Sequence, residues 1–163
     1  MATKHIYPLH LDPAYYTAIG EVAARGALLE QQLGDVIQVG FALDKKEGRV
    51  LTSGMSIKVK SNIVRALTLK WIKDPKIRTE AKKISSEAFD LMQKRNEIVH
   101  GTWGYPNGDP QNIRLIYRRS AEERIMPKAV RKTPDDIAAI AAKLLALQKR
   151  VLRLLEAMGT RGI

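Results

Sequence analysis

Arg95, Asn96 and His100 put a guanidinium, a carboxamide and an imidazole within six consecutive residues. A guanidinium stays charged and offers a rigid fork of donors to an anion. An imidazole gains and loses its proton near neutrality. Asn96 precedes His100 by four residues, so on a helix the two share a face. Arg95 and His100 are about 140° apart around such an axis and can border one groove. Together they can hold an anion and move a proton beside it. Each has a plainer role when taken singly. An arginine near a helix end often runs its stem along the surface, and a histidine there often caps the helix.

The place of Arg95 in its helix sharpens the point. Ile77, Ala81, Ile84, Ala88, Leu91 and Ile98 recur at alternating steps of four and three, and Arg95 stands where that stripe calls for an apolar side chain. A guanidinium is costly to bury unpaired. It must therefore reach the surface, pair with a carboxylate or sit at a second interface. Glu30 is the candidate carboxylate. It falls on the stripe of an earlier helix, four residues from both Gly26 and Gly34, which would let another helix come close. Either Glu30 pairs with or positions Arg95, or it lies in water at the stripe edge.

Four helices are expected to carry these groups. The first opens at Asp12-Pro13, a cap followed by proline. It runs to about Leu43, where the charged, glycine-containing stretch Asp44 to Arg49 stops it. The second runs from Thr52 or Ser53 to about Lys73, with Val59, Ile63, Val64, Leu67 and Trp71 facing inward. The third opens at Asp74-Pro75 and ends at Gly101, a natural helix stop. The fourth opens at Thr133-Pro134 and ends at Gly159. Between the last two, Trp103 and Tyr105, a Pro106-Asn107-Gly108-Asp109 turn and alternating Ile113, Leu115 and Tyr117 predict a small β-hairpin. Residues 119–132 read as a basic, irregular connection. The expectation is one all-α domain over residues 1–163: an up-and-down four-helix bundle with a hairpin inserted between helices three and four.

The string Arg95-Asn96-Glu97-Ile98-Val99-His100, followed by Gly101, resembles the signature of the HEPN (higher-eukaryote and prokaryote nucleotide-binding) family. That signature is an arginine, usually a polar residue next, and a histidine after four to six intervening residues. The likeness implies a four-helix bundle with the motif late in its third or fourth helix. It also implies a metal-independent, toxin-like endoribonuclease (a hydrolase) that acts as a homodimer, with motifs from both protomers meeting in one cleft. His100 would then be the general acid or base, Arg95 would hold the scissile phosphate, and Asn96 would orient one of them. Some members only bind nucleotides, nucleic acid or protein, so a non-catalytic module is the alternative. A plain structural homodimer with a buried ion pair at Arg95 is a third reading.

Charge fits an RNA partner. The net charge is +11 over 163 residues. Residues 1–43 carry two basic against four acidic side chains, 44–100 fourteen against seven, and 101–163 twelve against six. Such an excess attracts polyanions, though a basic surface can equally be merely solvated. Lys58, Lys60 and Arg65 on helix two and Arg114, Arg118 and Arg119 on the hairpin are the candidate RNA contacts. Trp103 and Tyr105 either stack on a base or, as we favour, pin the hairpin to the core. There is no cysteine, which excludes disulfides and thiolate chemistry. No phosphate-binding glycine loop or H-E-x-x-H motif occurs. His5 and His10 lack the carboxylates of a metal site, so no metal or cofactor is expected. The first ten residues hold no apolar leader, and no run suits a bilayer, so a cytoplasmic location is expected. An inhibitor or antitoxin protein is a possible partner.

Overall fold

A computed structural model describes residues 5–6, 11–106, 109, 112–117 and 128–159. Its five helices are α1 (Pro13–Gly40), α2 (Lys45–Ser53), α3 (Ile57–Trp71), α4 (Pro75–His100) and α5 (Pro134–Gly159). A small antiparallel sheet runs in the order β1 (His5–Ile6), β2 (Thr102–Pro106), β3 (Arg114–Tyr117) and β4 (Lys128–Arg131). The described residues are thus mostly helical, as expected, and include one more helix and two more strands than the sequence suggested. Two compact units can be distinguished, Met1–Ala24 with Gln93–Ala142 and Arg25–Met92 with Lys143–Ile163; α1, α4 and α5 contribute to both. Among the described residues, no helix is long and apolar enough to cross a membrane.

The three cap-plus-proline signals start helices where they should. Asp12 Oδ1 accepts from Ala14 N at 2.8 Å, and Asp74 Oδ1 accepts from Lys76 N at 2.8 Å. Thr133 and Asp136 bond each other's backbone N–H groups. Hydrogen bonds from Thr133, the backbone N–H first and then the side chain, hold the Asp136 carboxyl below its ordinary pKa.

The end of α1 differs from expectation. Leu43 N donates to Gln38 O and Ala42 N to Val39 O, with Ala42 at φ 53°. This is a Schellman stop whose left-handed position holds alanine instead of glycine. The stretch expected to break the chain is itself helix α2. Asp44 and Glu47 close a full capping box around its first turn. Gly48 and Thr52 are its buried residues, while Val50 and Leu51 face out.

The unit containing the sheet buries Ala18, Val22, Ile98, Leu115, Ile137 and Ala141. Tyr15 and Trp103 meet edge to face at 5.7 Å. Tyr15 Oη donates to Lys132 O, and Trp103 Nε1 donates to Ile98 O, a carbonyl in the last turn of α4. Trp103 therefore has the packing role favoured above. Burial raises the Tyr15 phenol pKa, partly offset by the nearby Arg131 charge. Strand β4 lies inside the stretch read as irregular; it pairs with β3 through Leu115↔Val130 and Arg114↔Arg131.

The other unit buries Leu29, Leu33, Val36, Ile37, Ile84, Leu144 and Leu147. Gly34 does allow a close neighbour: a Cβ there would lie 3.2 Å from Thr52 Oγ1 on α2. Gln148 Nε2 donates to Arg25 O, joining α5 to α1. Arg150 on α5 bridges Glu80 and Glu87 on α4. The hydrogen bonds to these two carboxylates raise the Arg150 pKa, Glu80 acting most strongly.

The inner face of α3 is turned relative to its apolar pattern. Lys60, Ser61, Val64, Leu67 and Thr68 are buried, whereas Val59 is 44% exposed. The Trp71 side chain, also expected to face inward, lies outside the described residues.

Candidate functional site: an arginine–histidine contact at the end of helix α4

Helix α4 runs unbroken through Arg95 and ends at His100. Trp103 and Gly101 hold that end against the sheet. Arg95 Nη1 donates to Asn96 Oδ1 at 2.9 Å and lies 3.2 Å from His100 Nε2. The three residues singled out by type and spacing thus converge. His100 and Asn96 are exposed, and Arg95 is half-buried.

An arginine can only donate. In a neutral ring the His100 nitrogen facing it accepts from Arg95 when the imidazole proton sits on Nδ1. Arg95 Nε is shut from solvent and has no hydrogen-bond partner. The guanidinium is thus anchored inside, with Nη1 turned toward Asn96 and His100 at the exposed helix end, where a guanidinium can offer its outer donors to an anion.

Glu30 goes elsewhere. Its Oε1 lies 3.1 Å from Lys60 Nζ, and the Lys60 side chain is only 7% exposed against 40% for Glu30. Glu30 therefore has the cationic partner it needs, and that partner is Lys60 where Arg95 was considered. The same bond corrects the expectation for Lys60. It is a buried ion-pair member, so it cannot serve an outward RNA track. A buried ammonium keeps its charge by pairing.

Lys58 and Arg65 remain at the surface and share a hollow with Lys82 of α4. Lys82 was missed by sequence reasoning, although Lys82-x-x-Ser85 repeats the spacing of Lys58-x-x-Ser61. Arg114 is half-buried, bonds Asn112 and stands directly across the strands from Arg131. Arg131 was likewise missed, since it follows β3 by a long connection. Arg118, Arg119 and His10 lie outside the described residues, as does the side chain of His5. Among the described residues there is no group of three or more metal-ligating His, Cys, Asp or Glu side chains. Compared with known proteins, the chain matches no family model, no curated protein and no solved structure.

Proposed function

We propose that the chain is a HEPN-like endoribonuclease that cleaves RNA without a metal, using Arg95 and His100. The observation that carries this reading is the 3.2 Å approach of Arg95 Nη1 to His100 Nε2 on an exposed helix end. We take α1, α3, α4 and α5 as the four helices of an up-and-down bundle, with α2 as an addition.

In the proposed reaction a phosphodiester docks on Arg95 and draws Nη1 away from His100. The freed Nε2 accepts the proton of the ribose 2′-hydroxyl as the 2′-oxygen attacks phosphorus. The P–O5′ bond breaks and the 5′-oxygen is protonated, leaving a 2′,3′-cyclic phosphate and a 5′-hydroxyl. Arg95 stabilises the negative charge that builds on the non-bridging oxygens. Asn96 positions the guanidinium. Two copies of the motif, meeting in a homodimer, would supply one imidazole to take the first proton and another to give the second. DNA lacks the attacking hydroxyl and is not cut. Cytoplasmic RNA is the substrate class we assign, and a toxin-like activity of this kind would call for an inhibitor protein.

The test is incubation of the full chain with labelled single-stranded RNA in EDTA, beside His100→Ala and Arg95→Ala. Cleavage by the wild type that both variants lose, with cyclic-phosphate ends, supports the reading. RNA binding without cleavage overturns it in favour of the non-catalytic module.

A further inference from the structure

The unit built from α2, α3 and parts of α1, α4 and α5 contains a hollow of about 190 Å³ lined by α3 and α4. Among its lining residues are Lys58, Ser61 and Arg65 from α3 and Lys82, Ser85 and Phe89 from α4. Each set has the spacing i, i+3, i+7, so each occupies one helical face. No carboxylate lines the hollow. Lys58, Arg65 and Lys82 have no ion pair among the described residues.

The two helices are joined by residues 72–74 alone, so the chain reverses between them. At about 1.5 Å of rise per residue, Arg65 and Lys82 both lie about 10 Å from that link, and Lys58 and Phe89 both about 20 Å. One end of the hollow therefore sets two cations level with each other. The other sets a cation beside an aromatic ring. Like charges facing each other without a carboxylate repel, and a bound anion relieves that repulsion.

Ser61 gives an independent sign. Thr52, Thr68 and Ser85 are buried helical hydroxyls, and each donates to the carbonyl four residues earlier. Ser61 is also buried, but its Oγ has no hydrogen-bond partner. An unpaired buried hydroxyl is costly. A χ1 rotation toward a ligand oxygen in the hollow would satisfy it and break no existing bond.

We propose that this hollow binds one nucleotide unit, with its phosphate between Arg65 and Lys82 and its base against Phe89. The unit comes either from a free nucleotide or from an RNA strand. The assignment rests on residues other than Arg95, Asn96 and His100, so it stands or falls apart from the nuclease reading.

Calorimetric titration of the full chain with adenosine 5′-monophosphate, adenosine, ribose 5-phosphate and a trinucleotide tests it. The monophosphate is expected to bind well above adenosine. Arg65→Ala and Lys82→Ala each weaken it about tenfold, as for loss of a charge-assisted bond. Phe89→Leu weakens the monophosphate but not ribose 5-phosphate. A trinucleotide that binds more tightly, with steep salt dependence, marks the strand as the natural source; equal affinity marks the free nucleotide. Adenosine binding as well as the monophosphate, variants indistinguishable from wild type, or no saturable binding by the monophosphate or the trinucleotide would each overturn the proposal.

Discussion

Leu115 occupies the space where Gly101 would carry a side chain: a Cβ on Gly101 would lie 2.4 Å from Leu115 Cδ1 and 2.3 Å from Glu97 O. The first atom can shift, but the second is backbone of the last turn of α4. Gly101→Ala should therefore lower stability by about 2–3 kcal/mol, the cost of overpacking a site that cannot relax. It should also move His100, its chain neighbour, and depress any RNA cleavage beyond what the stability loss explains. Urea unfolding followed by circular dichroism measures the first effect. An unchanged midpoint would show that the helix end and β3 do not pack this closely.

Lys60 and Glu30 make an asymmetric pair, one partner buried and the other half in water. Glu30→Ala leaves a buried ammonium without its carboxylate and should cost about 2 kcal/mol. Lys60→Met removes the charge that needs pairing and should be close to neutral, within about 1 kcal/mol. The order of the two midpoints in chemical denaturation is the readout. A larger loss from Lys60→Met than from Glu30→Ala would contradict this account.

Ala42 holds a left-handed conformation, φ 53°, at the Schellman stop of α1. An L side chain there costs roughly 1–2 kcal/mol, which glycine avoids in exchange for extra freedom in the unfolded chain. Ala42→Gly should accordingly raise stability by about 0.5–1 kcal/mol. Thermal unfolding at neutral pH checks the sign, and a lower midpoint in the variant would refute the assignment.

These same residues show what the sequence could and could not reveal. Asp12-Pro13, Asp74-Pro75 and Thr133-Pro134 announced three helix starts because caps and prolines act locally, through the first orphan N–H groups. The Arg95–Asn96–His100 convergence was legible because the three residues lie on one helix, where spacing fixes direction. Helix α2 was hidden because Gly48 and Thr52 are its buried residues, so it shows no apolar period; its Asp44–Glu47 box was the available signal. Strand β4 depends on backbone pairing with β3 across a long connection, which no local pattern records. Lys60 was misplaced because a lysine reads as solvent-facing until its partner, thirty residues away, is known. Lys82 and Arg131 acquire meaning only from neighbours on other elements.

The His100 imidazole offers a prediction that needs no substrate. Arg95 Nη1 donates toward Nε2, so the neutral ring must keep its proton on Nδ1. Long-range proton–nitrogen correlation spectra at pH 8 should show that tautomer in the wild type. Arg95→Ala removes the donor and should let the ring revert to a mixture containing Nε2–H. A wild-type ring carrying its proton on Nε2 at pH 8 would remove the contact from which the proposed chemistry begins.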